Sequence, residues 1–295
     1  MNVSTDQVIY NFSTKNTPVL SVPSGSVLEI NTYDCFSNQL RTAEDKMEAL
    51  DWDRINPATG PIYVNGAEPG DLLKVTINRI EIDDKGTVVS GEGFGILGGV
   101  LKDIYTKIIP IRDGKAQFSN EIQIPIEPMI GVIGVAPKET AINTGTPGKH
   151  GGNMDNTMVT EGAILYFNVE VPGALFALGD VHAVMGDGEI GVSGLEIPAK
   201  INVTLEVIKG RHIAGPMLEN CEYWSVIESA EIIEDAVQMA TENMFRFLKG
   251  KLNLQDAEIA MLMSLVGQLQ FCQVVDPLKT VRFTMPKKYL GDIRL

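Results

Sequence analysis

Through its first two thirds the chain alternates short apolar runs with Gly, Pro and Asp turns, and the apolar positions recur with a period of two. Pro18–Ile30 (PVLSVPSGSVLEI) reads as two short runs split by Pro-Ser-Gly. Asp71–Ile82 (DLLKVTINRIEI) predicts a strand burying Leu73, Val75, Ile77 and Ile80, followed by a turn at Asp83–Gly86 and a strand over Thr87–Val89. Further strands are expected at 108–111, 122–126 and 129–135. The clearest are 163–171 (AILYFNVEV) and 201–208 (INVTLEVI), where β-branched residues alternate with polar ones. Strands at this spacing, joined by Gly and Pro turns, predict a β-sandwich or barrel.

The period changes near Cys221. Ser229–Lys249 places Ile232, Ile233, Ala236, Val237, Ala240, Met244 and Phe247 on one stripe, the spacing of an amphipathic helix. Ser229 is the expected N-cap and Gly250 the residue just past the C-terminus. A second helix is expected from Asn253 or Gln255 to about Gln270, turning Ile259, Leu262, Met263 and Val266 inward, and a strand over Thr280–Thr284 follows. The picture is a helical hairpin laid on a β body. Met239, Met244, Met261 and Met263 read as core filling.

Composition narrows the function. Lys and Arg number 24 against 38 Asp and Glu, a net charge of −14, which repels nucleic-acid phosphates and excludes that partner class. The 44% hydrophobic content belongs to a packed protein rather than a disordered one. Gly (29) and Pro (15) are dense enough to favour turns over long helices. Cys35, Cys221 and Cys272 form no framework and no CxxC pair. No apolar run approaches the roughly 18 residues of a membrane span. The opening MNVSTDQVIYNFS has neither a basic nor an apolar leader region, so a cytoplasmic location is expected.

Candidate chemistry centres on two of three histidines. His150 lies in PGKHGGNMD with Asp155, and His182 lies in GDVHAVMGDGEI with Asp180 and Glu189. If Met185–Gly188 makes a hairpin turn, Asp180, His182, Glu189 and Gly191 share a face, with His182 and Glu189 diagonal at roughly 7 Å. A single His beside Asp and Gly is commonly a turn residue, but two such settings favour a metal or acid/base site. His212 (KGRHI) has no acidic company and reads as structural. Asp34, taken alone, reads as a strand-end cap. Cys35 has no neighbouring base to form a thiolate and reads as a small buried residue. GEGFGILGG (91–99) lacks the Gly-Lys-Ser/Thr of a phosphate loop. GVIGVAP (131–137) brings backbone close to a ligand or neighbouring strand, and Gly134, Gly151 and Gly152 are candidate backbone donors for substrate.

GVIGVAP (131–137), PGKHGGNMD (147–155) and GDVHAVMGDGEI (179–190), flanked by TYDCFSNQ (32–39), TGPIYVNGAEPGD (59–71) and FCQVVDP (271–277), together resemble the signature blocks of the acetamidase/formamidase family, in order along nearly the whole chain. The resemblance implies a jelly-roll-like catalytic body over 1–220, a smaller α+β portion over 221–295, a homodimer or higher homo-oligomer, and hydrolysis of short aliphatic amides, of the formamide and acetamide type, to a carboxylate and ammonia. It also implies a divalent metal, zinc in the first place with calcium or manganese as alternatives. The metal cluster carried over is Asp34, His150, Asp155 and His182, with Glu189 beside it as general base. The position after Asp34 and the stretch 85–120 depart most from the pattern and are expected to shape substrate choice. The competing expectation is a non-catalytic β-sandwich that binds a metal or small ligand.

Overall fold

The computed structural model describes residues 1–42 and 44–295. Its architecture is mainly β, as the period of two predicts. One large sheet has the strand order Asn2–Val3, Ser26–Thr32, Ala199–Ile208, Leu72–Ile82, Ile164–Asn168, Met217–Glu219, Tyr223–Ala230, Lys279–Pro286, Gln268–Gln273. A second sheet runs Gly151–Asn153, Met129–Gly134, Phe176–His182, Ala58–Asn65, Val8–Ile9, with Leu20–Pro23 also on Ala58–Asn65. A four-stranded sheet orders Gln123–Pro125, Lys115–Gln117, Tyr105–Arg112 and Lys85–Ser90. Pairing is antiparallel except where Asn2–Val3 meets Ser26–Thr32 and Leu20–Pro23 meets Ala58–Asn65.

The alternating residues do what the pattern requires. Leu28, Ile30, Leu73, Val75, Ile77, Ile201, Val203 and Leu205 from the large sheet share one core with Ile130, Phe176, Leu178 and Val181 from the second sheet. Two facing sheets filling one apolar layer is a sandwich. Strand Phe176–His182 is buried along its whole length, so its two charged residues, Asp180 and His182, are carried into the interior.

Among the described residues the α-helices are α1 (Ile233–Leu248) and α2 (Asp256–Val266), both within the expected 229–270. Ala236, Ala240, Met244, Phe247 and Leu248 of α1 pack on Trp224, Val226, Val281, Phe283 and Met285 of the large sheet. Three details differ from the sequence reading. Ser229 does not cap α1: it belongs to strand Tyr223–Ala230, pairs with Thr280 and meets its hydroxyl at 2.9 Å, while Ile232 occupies the N-cap position and is exposed. The second helix stops at Val266, because Gln268–Gln273 is drawn off as an edge strand on Lys279–Pro286. Met261 is exposed at 62% rather than filling the core. Gln255 does open α2, in a capping box with Glu258, and Gly250 takes the left-handed backbone (φ 78°) expected past the end of α1. The division expected at 220/221 falls between Met217–Glu219 and Tyr223–Ala230, which are paired in the same sheet. Among the described residues no helix is long and apolar enough to cross a membrane.

Candidate active site

His182 ends the buried strand; Met129 is its partner on one side and Glu196, joined to it by an isolated bridge, on the other. The hairpin expected at Met185–Gly188 is replaced by a wider excursion. Ala183 donates to the Leu195 carbonyl and Leu195 donates to that of Val184, which leaves 185–194 as a loop. His182 therefore faces Glu196, not Gly191. Its Nε2 lies 3.1 Å from Glu196 Oε1, 3.4 Å from Asp180 Oδ1 and 3.8 Å from Asp155 Oδ1.

Asp155 arrives from the second glycine-framed block. Strand Gly151–Asn153 pairs with Met129–Gly134, and Met154 donates to the Gly131 carbonyl at 3.1 Å, which sets Asp155 beside Gly131. A Cβ on Gly131 would fall on carboxylate oxygens of both Asp155 and Asp180. The absence of a side chain there is what lets two carboxylates converge over one backbone position. Asp155 (φ 41°), Asp180 (φ 54°) and Glu189 (φ 49°) all take the left-handed conformation that L-residues seldom adopt. Such strain persists only where surrounding structure holds it, typically at functional sites.

Glu189 reaches the cluster from loop 185–194. Its ligand atom lies with those of Asp155 and His182 within 4.8 Å of one another, and its Oε1 accepts the Gly194 N–H at 3.0 Å. The loop is tied down by the C-terminal strands: Gly188 donates to the Cys272 carbonyl at 2.8 Å, and buried Arg282 pairs with Asp187 at 2.5 Å. Cys35, Asp180 and Glu196 form a second convergent triplet beside the first. Asp276, from the FCQVVDP block, closes the wall. Gln273 Oε1 accepts the N–H groups of Val275 and Asp276, and Asp276 Oδ2 accepts Asn153 Nδ2 at 2.9 Å.

The electrostatics follow from burying so many acids together. Desolvation, then the charges of Asp180 and Asp276, raise Asp155 well above the usual carboxylate range. Desolvation and Asp155 do the same to Glu189. Desolvation dominates at Glu196 and Asp276, each pushed up to about 8. His182 is raised despite its desolvation, because Glu196 and Asp180 favour the imidazolium. Buried Cys35 is pushed well above its normal range by desolvation and the neighbouring carboxylates, which opposes a thiolate. Both oxygens of Asp155, one each of Asp180 and Glu196, and His182 Nδ1 are buried without a hydrogen-bond partner. Unpaired buried oxygens at this density are the environment of a cation.

Asp180, Glu189, Glu196 and Asp276, with Asn153, line one side of a cavity of about 150 Å³ whose other side is formed by Phe36, Met47, Ile55, Val89 and Phe94; Asp155 and His182 are not in its wall. Trp52 stacks on Phe94 at its edge, ring centroids 6.0 Å apart. A space of about this size holds one benzene-sized molecule.

The sequence-predicted residues are not all gathered here. Asp155, His182 and Glu189 converge. Asp34 is buried close enough for the charge of Asp180 to contribute to raising it to about 6, a shift led by desolvation. Its Oδ1 is taken by the Asn38 N–H at 2.7 Å, its Oδ2 is buried without a hydrogen-bond partner 3.8 Å from Arg41 Nη1, and it belongs to neither triplet. His150 is elsewhere, edge-on to Phe12 at 5.1 Å, with both ring nitrogens unpartnered and desolvation lowering it to about 4. Gly134, Gly151 and Gly152 do not line the cavity. They serve strand pairing, since a Cβ on Gly134 or Gly151 would collide with the facing backbone. Glu196 and Asp276 went unselected. The available signal was a lone acid in an apolar run, LEI at 195–197 and VVDP at 274–277.

A family model described as the acetamidase/formamidase family matches residues 5–144 and 138–286. A crystal structure of a predicted acetamidase/formamidase from Thermoanaerobacter tengcongensis is 50% identical with a TM-score of 0.96, covering 100% of this chain and 98% of that one. An acetamidase from Bacillus halodurans is 41% identical with a TM-score of 0.96, covering 99% and 100%. The acetamidase of Mycolicibacterium smegmatis is 26% identical over 64% of this chain and 63% of its own length. The chain spans about three fifths of the length of the curated relatives it matches.

Proposed function

Because the chain belongs to the acetamidase/formamidase family, we propose that it hydrolyses short aliphatic amides to a carboxylate and ammonia, with a divalent metal held at Asp155 and His182. The observation that carries the reading is the convergence of Asp155, His182 and Glu189 within 4.8 Å while both Asp155 oxygens are buried without a donor. The donor set fits a cation. Imidazole with carboxylates suits zinc, and the surplus of oxygen from Asp180 and Glu196 suits manganese or calcium equally. A bound divalent metal supplies a Lewis acid that polarises the amide carbonyl and makes water acidic.

The chain's own groups do the rest. Glu189, oriented by the Gly194 N–H, takes a proton from the attacking water as the new C–O bond forms. It returns that proton to nitrogen as the C–N bond breaks, so ammonia leaves, and the carboxylic acid that remains gives up its own proton to become the carboxylate. Asp180 and Glu196 hold the His182 ring in one orientation. Asn153 and Asp276 offer polar contacts to the amide, while Phe36, Phe94 and Val89 exclude bulk water and limit the acyl group to a short chain.

The test is ammonia release from formamide, acetamide and longer amides by metal-replete and chelated protein. Turnover of a short amide, abolished by chelation and restored by zinc, manganese or calcium, is expected. Undiminished release by protein shown metal-free would overturn the metal reading. Absence of release from every short amide by replete protein would overturn the substrate class.

A further inference from the structure

Away from the acid cluster, the surface between residues 211–217 and the C-terminal half of α1 reverses the charge of the molecule. It encloses about 420 Å³, and its walls carry Arg211, His212, Arg246, Lys249 and Lys251 with no Asp or Glu side chain, the carboxylate-bearing Leu295 being their acidic member, in a chain of net charge −14. Its floor is apolar, formed by Ile213, Met217, Val226 and Phe247, all buried. It shares no residue with the cavity around Glu189.

Some of these cations already have partners. Arg246 pairs with Glu242 at 2.6 Å and Lys249 with Asp256 at 2.6 Å. Buried Glu228 accepts Asn243 Nδ2 at 2.6 Å. Among the described residues Arg211 and His212 have no carboxylate within ion-pair distance, and Lys251 donates only to the Arg294 carbonyl at 2.6 Å. The Lys251 ammonium lies 5.2 Å from the Phe247 ring centroid, which fixes it at the rim above the apolar floor. Partial desolvation, then the charge of Arg211, lower its pKa, so two like charges face one another. An anion between them would remove that repulsion. A volume in the few-hundred Å³ range with an apolar floor and convergent charged groups has the form of a small-molecule site.

We propose that this pocket is a second ligand site, for an amphiphilic organic anion whose carboxylate or phosphomonoester head sits between Arg211 and Lys251 and whose apolar body covers Phe247, Met217 and Val226. The two head groups share the required chemistry, negative charge with several acceptor oxygens. A bare inorganic anion would leave the floor uncovered, and a neutral aromatic would leave the cations unpaired.

The full chain is titrated calorimetrically with phenyl phosphate, benzoate, inorganic phosphate and benzyl alcohol. Saturable one-to-one binding of phenyl phosphate or benzoate is expected, the tighter of the two identifying the head group. Inorganic phosphate and benzyl alcohol should bind at least about tenfold more weakly. Arg211→Gln and Lys251→Gln, both at exposed positions, should each weaken the aryl anion by about tenfold, the effect of one charged hydrogen bond. Melting temperature and amide hydrolysis should stay unchanged in both. Lack of saturable binding by either aryl anion would overturn the proposal, as would unchanged affinity in both variants.

Discussion

At the residue scale, His150 and His182 show how far similar local settings can diverge. Both are framed by glycine with a carboxylate nearby in the chain. His150 ends against Phe12 with burial alone acting on it, and is held neutral to about pH 4. His182 ends among Asp155, Asp180 and Glu196, and against its desolvation the charges of Glu196 and Asp180 favour the imidazolium in the absence of metal. The difference lies in residues far away in sequence that no local window contains. Glu189 is the residue whose role is most sharply testable. Glu189→Gln keeps its shape and removes the carboxylate base, so kcat should fall by about 10²- to 10⁴-fold with folding and metal content retained. Loss of metal in the same variant would make Glu189 a ligand. A kcat near normal would remove it from the mechanism. Both quantities are read on one preparation.

At the element scale, the helical stripe was legible because α1 is amphipathic and packs one face only. Ala236, Ala240, Met244 and Phe247, spaced by three and four, are all buried. Met244 is fully buried between α1 and the large sheet. Met244→Ala should cost about 2–5 kcal/mol of stability, measured by urea denaturation. Because the acid cluster lies in the other core, kcat of the folded fraction should stay within a few-fold, and a stability within about 0.5 kcal/mol of the parent would contradict the packing. The ends of the elements were not legible. Ser229 has the chemistry of an N-cap, yet strand pairing continues to Ala230–Lys279 and takes it. QLQFCQ reads on from α2, but the free edge of Lys279–Pro286 recruits it as a strand. In both cases a neighbour's unsatisfied backbone outweighed local propensity.

At the scale of the whole molecule, the buried acids link metal, pH and stability. Glu196 and Asp276 are raised to about 8 and protonate on folding without metal, so their contribution is present at low pH and is lost as pH rises through about 8. His150, lowered from 6.5 to about 4, works in the opposite direction but only below about 6.5. Between pH 6.5 and 8, therefore, the melting temperature of chelated protein should fall as pH rises. Divalent metal should flatten or reverse that slope, because deprotonated carboxylates are its ligands. A flat slope in the chelated protein, read by scanning calorimetry, would refute the account. By itself the sequence determined the β-sandwich class, the helical hairpin and three members of the cluster, Asp155, His182 and Glu189, because alternation and stripe spacing are local and glycine-framed polar blocks stand out in an apolar chain. Only tertiary structure decided that Glu196 and Asp276 join them, that Asp34 and His150 stand outside the triplets, and that Arg282 moors the Glu189 loop. A buried charge is placed by the strands that pair around it, and those pairings join residues more than a hundred positions apart, such as Gly179 with Ala58.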